Sequence, residues 1–253
     1  GLYVVDASDP SAPVLADLGG GLANPIPTGS LGGFRINTVF AVGNLLVIAK
    51  SDGGGISTID IADPLRPQLL DTNDEAVGYS AQVNGWRLYG ANDPARVWDI
   101  AADGTISLVG QGQNVAGKGG YGAIQDEVFH YGSSSEYVKL DVSGLNDDEE
   151  PRFDVLGTCK PAGFSGADWD FGTPLGNMVF MGNDHDGSAL VTHQQAPDTI
   201  PPRVTMAVPA DGAIHQALTS RVGLTFSDQV LTESLTTEHI RLRHKEWRFL
   251  EAR

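Results

Sequence analysis

A single cysteine, Cys159, stands in 253 residues, so no internal disulfide braces this chain. A core of this size needs no such brace, and an oxidising compartment stays open to it. No apolar run approaches the roughly 18 residues of a membrane helix, which excludes a helical span. Positive charge is scarce. Residues 1–197 hold nine Lys and Arg against 25 Asp and Glu, whereas residues 198–253 hold seven of each. The whole net charge of −16 therefore falls on the first part, and a surface of that sign repels phosphate backbones. Nucleic acid is excluded as a partner. Catalytic signatures are missing too: there is no G-x-S-x-G elbow, no Walker loop and no helical His spacing of a zinc protease. Gly117-Lys118-Gly119-Gly120 matches a phosphate loop in composition only.

Glycine (32) and proline (14) are plentiful, and they punctuate strand-length apolar groups without forming a low-complexity tract. That pattern predicts many short strands joined by tight turns. One unit reads Leu2-Tyr3-Val4-Val5-Asp6-Ala7-Ser8-Asp9-Pro10-Ser11-Ala12-Pro13-Val14-Leu15. It returns as Ile56-Ser57-Thr58-Ile59-Asp60-Ile61-Ala62-Asp63-Pro64-Leu65-Arg66-Pro67-Gln68-Leu69-Leu70. Shorter copies end Val97-Trp98-Asp99 and Lys139-Leu140-Asp141. The aligned aspartates Asp6, Asp60, Asp99 and Asp141 recur about every 40 residues, the length of a four-stranded propeller blade. They are expected at equivalent places, each fixing a turn by accepting backbone N–H bonds.

Each copy follows a second element, a strand, a Gly/Asn turn and another strand, best seen at Val39-Phe40-Ala41-Val42-Gly43-Asn44-Leu45-Leu46-Val47-Ile48-Ala49. Such two-residue turns need positive φ, which Gly and Asn supply. A blade in the best copy therefore spans strands 35–42, 45–49, 56–61 and 68–72. The chain opens with the last two strands of one blade and continues through three full blades. A fifth, about 168–195, lacks its outer strand because Pro197, Pro201 and Pro202 intervene. The expected fold is all-β: a β-propeller-like array of four-stranded antiparallel blades over residues 1–196, itself incomplete. The abrupt apolar opening reads as a piece whose preceding blades and export signal are missing.

The phrases VVDASDPSAPVLADL and STIDIADPLRPQLLDT resemble LVIVD repeats, a bacterial surface repeat thought to form β-propellers. The resemblance implies fold and export, and transfers no catalytic residue. Beyond the linker Pro197-Asp198-Thr199-Ile200-Pro201-Pro202, the runs Arg203–Ala213 and Val222–Val230 resemble the opening of a bacterial Ig-like domain. Residues 197–253 are thus expected to be a partial β-sandwich, a spacer or adhesion module whose last ten residues depart from the pattern. Too few residues remain for the seven strands of a complete sandwich.

Candidate chemistry is thin. Asn183-Asp184-His185-Asp186-Gly187 carries the oxygen-rich D-x-D-G pattern that can hold Ca²⁺. It also falls where other blades reverse direction, and Asp184 and Asp186 are read as turn residues with calcium as the alternative. Asp168-Trp169-Asp170 offers paired carboxylates beside an aromatic that suits a core. Asn146-Asp147-Asp148-Glu149-Glu150 reads as an exposed loop, and Cys159 as an inert thiol. No catalytic or cofactor-binding residue is assigned. The expectation is a non-enzymatic secreted or cell-surface scaffold binding protein or carbohydrate. The alternative is a propeller hydrolase or oxidoreductase with a metal or cofactor in the central channel.

Overall fold

The computed structural model describes residues 1–33, 35–50, 54–77, 81–91, 94–111, 120–144, 152–164, 168–185, 187–193, 199–209, 221–228 and 230–241. The acidic run 146–150, the glycine-rich 117–119, Asp186 and the tail 242–253 lie outside them.

Alternating Val, Ile, Leu and Tyr between Gly- and Asp-rich turns build strands with two usable faces, and the fold is all-β. A short hairpin, β1 (Val5–Asp6) with β2 (Val14–Leu15), forms blade one. Blade two runs in order through β3 (Ile36–Val42), β4 (Leu45–Lys50), β5 (Ile56–Asp60) and β6 (Gln68–Asn73). Blade three follows as β7 (Ala81–Asn84), β8 (Arg87–Gly90), β9 (Arg96–Ile100) and β10 (Ile106–Gln111). Blade four is β11 (Tyr121–Gln125), β12 (Val128–Gly132), β13 (Tyr137–Asp141) and β14 (Asp154–Cys159). Blade five has three strands, β15 (Trp169–Leu175), β16 (Met178–Asn183) and β17 (Gly187–Thr192). All neighbours within a blade are antiparallel. Among the described residues the only helical pieces are 3-10 turns at Thr28–Leu31 and Thr232–Ser234. No helix there is long and apolar enough to cross a membrane.

The core is not inside any blade but between blades. Leu46, Leu88, Phe129 and Val179, each second in its blade's second strand, face the preceding blade. Val47 and Tyr89, one residue later, face the following blade. One cluster joins blades two and three around Trp98, Val47, Ile56 and Val77, and a second joins blades three and four around Tyr89, Phe129, Tyr131 and Phe153. Trp98 and Phe129 have no exposed surface. Burial on this scale contributes roughly 1.5–3 kcal/mol per large side chain. Polar bonds set the angle between blades two and three. Asp71 Oδ2 accepts the Ile106 N–H at 2.8 Å, and Thr58 Oγ1 donates to the Gly104 carbonyl at 2.5 Å.

Blades four and five depart from the expected separation into individual sheets. Their first strands pair in parallel, Tyr121 with Phe171 and Gly122 with Gly172, making one seven-stranded sheet. The reason is steric. A Cβ at Gly132 would lie 1.9 Å from the Trp169 carbonyl oxygen, and one at Gly120 2.2 Å from that of Asp170. Only a chain without side chains at these points lets the backbones approach so closely. Tyr121 then stacks on Phe171 with ring centroids 4.8 Å apart.

The repeat aspartates occupy matching places, Asp60 opposite Leu45, Asp99 opposite Arg87 and Asp141 opposite Val128. Three of the four fix turns as expected. Asp6 accepts from Ser8 N–H, Asp60 from Ala62 and Asp141 from Ser143, at 2.8–2.9 Å. Asp99 does not. Arg87 takes both its oxygens, and the Ala101 N–H bonds the Thr105 carbonyl instead.

Two outcomes follow in equilibrium urea unfolding. Asp60→Ala should lower stability by about 1 kcal/mol, the scale of one lost hydrogen bond. Gly132→Ala should cost well over about 2 kcal/mol, because its Cβ meets unyielding backbone rather than a movable side chain. A neutral Gly132→Ala would mean the seam between blades four and five is looser than the parallel pairing implies.

Candidate functional site

At one end of the array the two-residue turns between first and second strands line up. They are Gly43-Asn44, Gly85-Trp86, Asp126-Glu127 and Gly176-Asn177. A C-terminal hairpin, β18 (Val204–Val208) paired with β19 (Gly223–Phe226), lies across the first three of them. Val208 meets Gly43, the Thr205 carbonyl meets Gly85, and the Ser227 carbonyl accepts the Asp126 N–H at 3.0 Å. Met206 is buried in the cluster shared by blades two and three. Hairpin and blades therefore share one core at this end.

Beside the hairpin, between blades three and four, lies a cavity of about 620 Å³ that is widely open to solvent. Its walls carry Trp86, Arg87, Tyr89, Asp99, Glu127 and Arg203. Arg87 Nε donates to Asp99 Oδ1 at 2.7 Å and Nη2 to Oδ2 at 3.2 Å, a planar bidentate pair. The hydrogen bond it donates to Asp99 holds the pKa of the Arg87 guanidinium above its ordinary value, against the opposing effect of burial. Arg203 of the hairpin pairs with Glu127. Burial pushes the Tyr89 hydroxyl up, and Arg87 partly offsets this. Both pairs are partly exposed, so they add little stability, and their value is positional.

The Glu127 turn is also strained. Blades two, three and five place Gly at the first turn position, whereas here Asp126 (φ 47°) and Glu127 (φ 65°) both adopt the left-handed region. Asp tolerates this better than Glu, and each costs of order 1 kcal/mol or more. Contacts from the hairpin, to the Asp126 N–H and the Glu127 carboxylate, hold the turn in place.

Nothing in the sequence reading singled this cavity out. The signal was nevertheless present in Arg87, which stands where the other blades carry Leu45, Val128 and Met178. A charge at that one repeat position draws Asp99 away from its turn.

The clusters that the sequence did suggest lie elsewhere. Pairing of Trp169 with Asn183 brings Asp168, Asp170, Asp184 and His185 together at one end of blade five. Burial raises the Asp170 carboxyl, and the nearby Asp168 and Asp184 raise it further. His185 lies 3.5 Å from Asp168. Asn183 accepts the His185 N–H at 2.9 Å and the Asp184 N–H donates to the Asp168 carbonyl, which are the bonds of a chain reversal. Trp169 is core. Among the described residues no three His, Cys, Asp or Glu side chains converge as a metal cage.

A further polar group was missed because it is assembled across strands. At the position of Val47 and Tyr89, blade four carries His130, which is fully buried against blade five. Its Nδ1 lies 2.6 Å from the Tyr137 hydroxyl, its Nε2 has no partner among the described residues, and its ring meets His193 edge-on at 4.8 Å. Lys139 Nζ donates to the His193 carbonyl at 2.8 Å, tying the end of blade five to blade four. Burial, then the neighbouring His193 and Lys139, lower the His130 pKa from 6.5 to about 3. Cys159 is half-buried opposite Tyr137.

No protein-family model matches this chain, and no curated protein matches it. Among solved structures it is similar to the computationally designed Ika4 protein, at TM-score 0.47 and 16% identity, over 64% of this chain and 95% of that one. It is also similar to the designed Ika8 protein, at TM-score 0.47 and 15% identity, over 62% and 45% of the two chains. Luciferin-regenerating enzyme matches at TM-score 0.45 and 11% identity, over 68% and 65%. Likenesses this distant say nothing of function.

The histidine does generate an expectation. Its folded pKa lies below its unfolded value, so between about pH 6.5 and 3 the unfolded chain binds a proton that the folded chain refuses. Stability therefore falls as pH drops through that window, by up to about 1.4 kcal/mol per unit. Replacing both partners, His130→Val with Tyr137→Phe, removes the effect. Urea midpoints at pH 7 and 5 should show the parent losing about 2 kcal/mol more than this variant. Equal losses would mean that His130 is protonated in the fold.

Proposed function

We propose that this chain is a non-enzymatic binding scaffold whose ligand sits in the cavity between blades three and four, beside the C-terminal hairpin. The single observation that carries this is the departure of Asp99 from its repeat role to form, with Arg87, one wall of a 620 Å³ cavity. Repeat positions elsewhere serve turns and cores, and a charged pair gains the fold little at this exposed site. Cavities of this size, with a few convergent polar groups between packed elements, suit small ligands or a terminal group of a larger one.

The setting belongs to the same proposal. The repeat's likeness to LVIVD repeats, and that of residues 203–230 to the opening of a bacterial Ig-like domain, support an exported or surface-held bacterial protein. Its partners would be protein or carbohydrate. The acidic composition of residues 1–197 supports solubility in that setting and argues against nucleic acid. Asp184 and its neighbours are read as turn residues, with calcium as the competing assignment.

Arg87→Leu tests the site without threatening the fold, because blade two carries Leu45 opposite Asp60 at the same place. Freed, Asp99 can accept the local turn N–H as Asp60 does. The variant should keep its urea midpoint within about 1 kcal/mol of the parent. In ligand-observed NMR against a mixed library of amino acids, nucleosides, organic acids and monosaccharides, the parent should show binders that this variant loses. A parent whose binders all survive Arg87→Leu places the ligand elsewhere.

A further inference from the structure

The chemistry of the cavity narrows its ligand. Resting on the reading of this cavity as the ligand site, we propose that it takes an uncharged saccharide, as a free sugar or the end of a neutral glycan.

The first argument is charge balance. The lining holds two cations, Arg87 and Arg203, and two anions, Asp99 and Glu127, already joined in two pairs. An anionic ligand would set an uncompensated negative charge beside Asp99 and Glu127 in a chain of net charge −16. A cationic ligand would set an uncompensated positive charge beside Arg87 and Arg203. A neutral ligand leaves both pairs balanced.

The second argument is the kind of hydrogen bonding left over. A carboxylate held by a guanidinium keeps free lone pairs, and the guanidinium keeps unshared N–H groups. In the Arg87–Asp99 pair, Nε and Nη2 are engaged with the carboxylate, and both residues line the cavity. A hydroxyl both donates and accepts. Two neighbouring hydroxyls can therefore bridge such a pair, one donating to the carboxylate and the other accepting from the guanidinium. A primary amide or a nucleobase edge also offers both roles, but a sugar repeats the pair around its ring. Thr105 and Ser107 add hydroxyls on the same wall.

The third argument is the apolar wall. Trp86, half-buried, and Val204 of the hairpin both line the cavity. A flat indole beside polar forks is suited to the C–H face of a sugar ring, which is apolar while its edge is polar. The cavity volume falls in the range of roughly 300–1,000 Å³ typical of small-molecule sites.

The test is titration of the purified chain by calorimetry and saturation-transfer NMR. The probes are methyl glycosides of glucose, galactose, mannose and N-acetylglucosamine, with glucuronate, glutamate, arginine and glycine as charged rivals. At least one neutral glycoside should saturate with a Kd of about 10 mM or tighter. Asp99→Asn and Trp86→Ala should each weaken it about tenfold or more, with thermal midpoints preserved in at least one of them. Raising salt from about 0.05 to about 0.5 M should change the affinity by less than about threefold, since no net charge is exchanged. Failure of every neutral glycoside to bind overturns the proposal, as does binding indifferent to both variants. If a charged rival saturates instead and is lost with Asp99→Asn, the saccharide class is wrong while the cavity remains the site. If no probe binds and the library screen yields nothing sensitive to Arg87→Leu, the reading of the cavity itself fails.

Discussion

A sheet with two apolar faces cannot be stable alone in water, and every other feature of this chain follows from how that constraint is met. Blades two, three and four each bury one face on the preceding blade and the other on the following one. Consecutive residues of the second strand take opposite sides, Leu46 back and Val47 forward, Leu88 back and Tyr89 forward. Stability is therefore a sum over seams rather than the property of one central core. Side chains at the seams cannot vary independently, because each must fit a particular neighbour. Turns at the blade ends escape that restriction.

This division explains what could be read from the residues. Strand positions in blade two were legible to within a residue or so, because Val, Ile and Leu alternate there between a Gly-Asn turn and an Asp-Pro turn. The turn roles of Asp6, Asp60 and Asp141 were legible for the same reason: the bond runs to a residue two places on, a purely local matter. Features made by residues far apart in sequence were not legible. The parallel pairing of Tyr121 with Phe171 depends on glycines at 120 and 132 meeting carbonyls of 170 and 169. Those glycines looked like ordinary blade punctuation. Docking of strands β18 and β19 onto three successive turns was equally hidden, since Met206 and Val208 read as the apolar alternation of any strand.

The candidate site shows the same limit from the other side. The acidic clusters around Asp168 and Asp184 are conspicuous because their members are neighbours in the chain. In the fold Asp168, Asp170 and Asp184 meet at one end of blade five, where the Asn183 side chain accepts the His185 N–H and the Asp168 carbonyl accepts the Asp184 N–H. The cavity draws its charges from positions 87, 99, 127 and 203, and no two of these are within ten residues. What marked it was an exception within the repeat. Arg87 replaces an apolar residue, and the aspartate facing it changes its allegiance. In a repeat architecture a position that breaks the pattern is more informative than a locally striking motif, because the other copies show what the fold alone requires.

Why the exception should fall at residue 87 and not one or two places later is a question of energy. Leu88 and Tyr89 point into seams, where an arginine would have to leave water for a packed apolar surface at a cost of several kcal/mol. Residue 87 is the first of its strand, beside the turn, and its counterparts Val128 and Met178 keep part of their surface exposed. A charged pair is tolerable there, and Glu127 and Arg203 meet at the same rim for the same reason. His130 marks the opposite case, a polar side chain set squarely into a seam. The fold tolerates it only by holding the imidazole neutral against Tyr137, so that its burial lowers the pKa instead of opening the seam. Recognition thus has room at the turn end of the blades, where charge is cheap to hold, while the faces between blades stay committed to stability.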